Sequence, residues 1–210
     1  IMQARTRVFA ADNPREAVEY FDAPMNAKAT PAVRYGYAFA LSERGQYEDA
    51  EAALKPALDE MPRQVNLLLL LGRLEAGLHH QDEAVALFDK TLKQYPRYAP
   101  AIFAYADALI AAGKPEQARQ VLITHDQALG TRLQTYNLLS QAAREMGNTA
   151  EASYQNAMYL YLRGDAGGAL ASLDAGLRTA ALTPQDRARL TAKRQEIRES
   201  LPKNWRAPRV

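Results

Sequence analysis

The residues of this 210-residue chain best suited to chemistry are its three histidines, His79, His80 and His125, with the carboxylates Asp82 and Glu83 close behind the first two. Ligation of a metal from a helix needs side chains three or four positions apart, so that they share a face. His79 and His80 are adjacent, no second histidine follows at four residues, and both fall in a turn between two helical stretches. They read as solvated turn residues, and no metal site is expected. Cysteine is absent, which removes disulfides, thiolate nucleophiles and cysteine-based zinc sites together. No HExxH, P-loop or GxGxxG occurs; "GDAGG" (164–168) has too few glycines in the wrong spacing and suits a helix turn. Carboxylate pairs such as Glu48 with Asp49 stand at helix starts, where they complement the helix dipole. The chain is therefore expected to be no enzyme, with no catalytic residue and no cofactor of its own.

What remains is the scaffold that could present a surface. Apolar residues make up 48% of the chain, enough for a substantial core, while a net charge of +2 demands neither a nucleic acid nor a membrane as partner. Apolar runs such as Leu67–Leu71 are far shorter than the roughly 20 residues of a spanning helix. No charged-then-apolar leader opens the sequence, and the first residue is Ile1, so a piece of a longer protein is expected.

The stretch "GQYEDAEAALKPALDEMP" (45–62) recurs after 34 residues as "HQDEAVALFDKTLKQYP" (80–96) and again as "KPEQARQVL" (114–122). In this alignment Ala50, Ala84, Ala118 and Ala152 share one column, and Ala38, Gly72, Ala106 and Ser140 another. Small residues at such columns let two helices approach closely. Leu54, Phe88 and Leu122 form a large apolar column, and Gly45, Gly113 and Gly147 a turn column that His79 occupies once. The spacing resembles the tetratricopeptide repeat (TPR), a helix–turn–helix unit whose apolar stripe is buried only by stacking on its neighbours. The expected fold is an all-α, right-handed TPR solenoid of about ten to twelve helices, with units at 2–24, 31–64, 65–98, 99–130 and 133–163. A half-repeat (166–180) follows, because Ala169 comes only 17 residues after Ala152. A capping helix (184–201) with Thr183 as N-cap and a basic tail (202–210) complete the single array. Pro56 is expected to kink its helix rather than end it at Lys55.

In TPR proteins the first helices line the concave face. The columns pointing there hold Tyr35 and Phe39, then Asn66, Leu69 and Arg73, then Phe103 and Asp107, then Asn137, Gln141 and Arg144. These are the candidate binding residues, with Tyr35, Phe103, Arg73 and Arg144 expected to be exposed and to supply most of the affinity. Tyr35 and Phe39 stand where a carboxylate clamp of the chaperone-tail type would need Lys and Asn, so that specificity is not expected.

Several stretches resemble one kind of TPR region, the C-terminal domain of BepA/YfgC-type periplasmic zinc metalloproteases. They are "AVRYGYAFALSERGQYEDAEAALKPAL" with its Pro56, "ALIAAGKPEQARQVL", the compressed "AMYLYLRGDAGGALASLDAGL", and "ARLTAKRQEIRESL". The resemblance implies a parent protein with an HExxH peptidase domain, and zinc is expected only there. It implies a periplasmic location and contact with the outer-membrane protein assembly machinery or its substrates. The alternative is a stand-alone TPR adaptor unconnected with proteolysis.

Overall fold

The computed structural model of the chain describes residues 1–11, 13–26, 29–180 and 182–202. Among these residues all regular structure is helical, in the order α1 (Met2–Phe9), α2 (Pro14–Asn26), α3 (Pro31–Glu43), α4 (Tyr47–Glu60), α5 (Val65–Gly77), α6 (Gln81–Gln94), α7 (Ala99–Ala111), α8 (Pro115–Thr124), α9 (Asp126–Leu129), α10 (Leu133–Glu145), α11 (Thr149–Leu162), α12 (Ala166–Leu177) and α13 (Pro184–Ser200). The thirteen helices exceed the ten to twelve expected by one, the four-residue α9. The tail 203–210 lies outside the described residues.

One turn geometry is used five times. Gly45, His79, Gly113, Gly147 and Gly164 all take positive φ, between 65° and 85°. After each, the next residue's N–H bonds the carbonyl five positions back: Gln46 to Leu41, His80 to Glu75, Lys114 to Leu109, Asn148 to Ala143 and Asp165 to Leu160. Each left-handed residue also bonds the carbonyl three back, which completes a Schellman closure of the helix end. Glycine suits this conformation because it has no Cβ. His79 adopts it against that preference, at φ 65°. Helix starts are equally local: Thr30, Asn148, Asp165 and Thr183 each accept a hydrogen bond from the backbone N–H three residues on, with Pro31 and Pro184 at the first helical position.

The columns found in the sequence are the helix contacts. Ala38, Ala50, Ala84, Ala106 and Ala118 are fully buried, and Leu54, Phe88 and Leu122 lie beside them in the interior. α4 runs through Pro56 to Glu60, so the helix does not stop at Lys55. Pro56 carries no N–H for the Ala52 carbonyl, and Ala52 is exposed, so that carbonyl is not shut away from solvent.

The chain falls into two compact units, Ile1–Ala108 and Leu109–Val210. In the first, residues of α1 to α5 share one core that includes Phe21, Phe39, Leu54, Leu67 and Leu74. Phe88 of α6 packs with Ala84 and Ala108. In the second, α11 packs against both α10 and α12, and α13 closes onto α12 through Leu190 and Ile197.

Candidate functional site

Within residues 1–108, the first helices build a ladder of rings and guanidinium groups. Tyr35 and Phe39 lie one turn apart on α3 and stack with ring centroids 6.0 Å apart. Phe9 of α1 meets Phe39 edge-on at 5.4 Å. Arg5 lies over the Phe9 ring and Arg73 over the Phe39 ring, each 5.5 Å from the centroid. Arg73 Nη2 also donates to Glu43 Oε1 at 2.7 Å. That pair is exposed, so it orients the guanidinium more than it stabilises the fold. The Tyr98 hydroxyl approaches Asn66 Oδ1 at 3.5 Å. Burial pushes the Tyr35 phenol above its ordinary value, and Arg5 and Arg73 partly oppose the shift.

The expectation that Tyr35 and Phe103 are exposed anchors is corrected. Their relative exposures are 4% and 5%, and that of Phe39 is 3%. The repeat spacing tells which way a side chain leaves its helix, but not what covers it. First helices pack side by side, and large rings on the shared side fill the seam between them. The open ring of the ladder is Phe9, 63% exposed. Sequence reasoning missed Phe9, Arg5, Glu43 and Tyr98. A signal was present, since Arg5 precedes Phe39 by one 34-residue period and so falls in the same column of the unit 2–24.

The other predicted residues of this unit are less tightly joined. Leu69 is half-buried against the cluster around Phe88. Asp107, one turn beyond Phe103, is exposed. Desolvation nonetheless raises its carboxyl above the usual value. In residues 109–210, Asn137, Gln141 and Arg144 share one face of α10, the first two half-buried and Arg144 exposed. Arg144 Nη1 donates to Ser140 Oγ at 3.3 Å. Glu51 and Lys90 sit on the second helices α4 and α6.

The histidines do no shared work. The His80 ring contacts Glu75 Oε2 at 3.0 Å, and His125 Nδ1 donates to the Val121 carbonyl at 2.9 Å. Among the described residues no three His, Cys, Asp or Glu side chains gather as a metal site. No helix among them is long and apolar enough to cross a membrane.

Comparison with known proteins agrees with this geometry. Tetratricopeptide repeat family models match residues 31–56 and 81–134. A tetratricopeptide repeat protein from Parabacteroides merdae superposes with a TM-score of 0.59 at 14% identity, over 95% of this chain and 85% of that one. The Cut9–Hcn1 hetero-tetramer of the APC/C contains a chain similar at TM-score 0.52 and 15% identity, over 91% of this chain and 42% of that one. A thermophilic TPR protein of Thermus thermophilus gives 0.50 and 18%, over 89% and 93%. A search of curated protein sequences returned no match. The chain is an all-α solenoid that carries tetratricopeptide repeats, and such an array is a scaffold for protein–protein interaction.

Proposed function

We propose that this scaffold captures an extended protein segment on the first-helix face of residues 1–108, and that it does so as the recruiting or docking domain of a periplasmic zinc-dependent metalloprotease in outer-membrane protein quality control. The observation that carries the first half is the exposed Phe9 ring, held against Phe39 between Arg5 and Arg73. An aromatic and arginine pair of this kind is what hot spots are made of. The second half rests on the four stretches that resemble BepA/YfgC-type proteases. On that reading proteolysis belongs to a separate peptidase domain, and this chain supplies binding alone.

Two experiments separate the halves. Phe9→Ala combined with Arg73→Ala should weaken capture of the partner by at least about tenfold, about 1.4 kcal/mol, with an unchanged helical circular dichroism spectrum. The matched control is Glu51→Ala with Lys90→Ala on the second helices. Equal loss in both would remove the first-helix face from consideration. A photoreactive residue at position 9, expressed in Gram-negative cells, should crosslink to outer-membrane assembly components or their precursors. A coding sequence without an upstream HExxH domain would leave the adaptor reading in place of the protease one.

A further inference from the structure

Where the 34-residue pattern breaks, in residues 109–210, the chain builds a small polar pocket. The large apolar column of Leu54, Phe88 and Leu122 continues at Asn156, and the small column of Ala38, Gly72 and Ala106 continues at Ser140. Both replacements introduce polar groups at positions that elsewhere pack apolar surface. Both side chains are drawn into hydrogen bonds. Ser140 Oγ donates to the Ala152 carbonyl at 3.0 Å and accepts from Arg144. Asn156 Nδ2 donates to Ser172 Oγ at 3.0 Å, and Ser172 Oγ donates in turn to the Ser153 carbonyl.

Arg144, Thr149, Ser153, Asn156 and Ser172 line a pocket of about 230 Å³ beside the Gly147 turn. The hydroxyl protons of Ser140 and Ser172 are committed to carbonyls. Two of the lining residues keep donor capacity: the Arg144 guanidinium, whose only partner among the described residues is the Ser140 hydroxyl, and the Asn156 amide, which has one N–H beyond the one given to Ser172. No carboxylate pairs with Arg144 among the described residues. Among the described residues the lining thus offers donors and one cation, which suits an acceptor-only anion.

We infer that this pocket is a subsite for a carboxylate carried by a bound polypeptide, with Arg144 as the charge partner and Asn156 as the orienting donor. Its volume is below the roughly 300–1,000 Å³ of small-molecule sites, so it takes a side chain or a chain end. A single guanidinium matches the single charge of a carboxylate. A phosphate dianion would leave charge unmatched, because Arg144 is the one cation lining the pocket among the described residues. The assignment to a polypeptide rests on the interaction-scaffold reading. The pocket itself does not, because it is built wholly from residues of the unit Leu109–Val210 and is testable without the partner.

The test is a nuclear magnetic resonance titration of the isotope-labelled 210-residue chain with three probes. Acetyl-alanyl-alanine presents a chain-end carboxylate, acetyl-glutamate amide a side-chain carboxylate, and acetyl-alanyl-alanine amide neither. The side-chain N–H signals of Arg144 and Asn156 should shift saturably with the first two, in the millimolar range, and not with the third. The tighter of the two names the source. Arg144→Gln should abolish the shifts. Asn156→Leu, which restores the apolar column and so protects the fold, should weaken binding by about tenfold. The proposal is overturned by an absence of saturable shift, by an equal response to the amide, by shifts that survive Arg144→Gln, or by tighter binding of a phosphoserine probe.

Discussion

A methyl group at position 72 would come within 2.5 Å of the Phe88 ring. Sixteen residues separate Gly72 from Phe88, as they separate Ala38 from Leu54 and Ala106 from Leu122. The columns are therefore paired: one repeat exchanges a methyl on the first helix for a larger ring on the second. Gly72→Ala should destabilise by about 1–3 kcal/mol through overpacking. Combined with Phe88→Leu it should cost less than the two single changes added, a coupling of about 0.5–3 kcal/mol readable from urea midpoints. His79 makes the opposite case. A non-glycine residue in the left-handed region costs about 1–2 kcal/mol, and glycine gives back about 0.5–1 kcal/mol as unfolded-state entropy. His79→Gly should raise the melting temperature modestly. Asp107 adds a pH dependence. Its folded pKa lies above the unfolded one because desolvation disfavours the charged form. The protonated form thus stabilises the fold at low pH, and that contribution is lost as pH rises through the ordinary carboxyl range and the raised folded value. Asp107→Asn should melt higher than the parent at neutral pH, with the gap closing on acidification below about pH 4. A constant gap across that range would assign the effect to something other than titration.

At the scale of elements, the interior proline of α4 is a local defect that the surrounding packing overrides. Pro56→Ala restores the N–H and should stabilise by up to about 3 kcal/mol, seen as a higher urea midpoint with unchanged slope. Most helices were readable from the sequence because their punctuation is local: turn glycines, Asx and Thr caps, and small residues at fixed intervals. α9 was not. Its four residues span a single turn, too short for any apolar period, and it arises because the helix before it ends at His125, whose ring bonds the Val121 carbonyl. The candidate face was half readable for a related reason. Tyr35, Phe39 and Arg73 were found from their columns and do cluster, but the covering of Phe39 by Phe9, and with it the transfer of exposure from Tyr35 to Phe9, depends on a neighbouring helix. Spacing within one helix carries no record of that neighbour.

For the molecule as a whole, repeat arrays are held by nearest-neighbour contacts, so damage should stay near its origin. Ala118 is fully buried on α8 in the unit Leu109–Val210. Ala118→Leu should overpack by about 1–3 kcal/mol. Amide hydrogen exchange should accelerate across α8, α10 and α11 while the protection of α3 to α5 changes little. Uniform acceleration through residues 1–98 would show that the chain opens as one cooperative block, and no change anywhere would mean that Ala118 does not hold the contact its burial indicates.

The Gly72 and Phe88 pair also constrains the order in which the two positions can change. From the Ala–Leu arrangement of its sister repeats, two single steps lead to Gly–Phe. Enlarging the leucine first drives a ring into the methyl of the facing alanine, whereas removing that methyl first leaves only a small void. The second order passes through the milder intermediate. Once the ring is in place, return by restoring the methyl is closed, and the repeat is committed to a glycine at position 72.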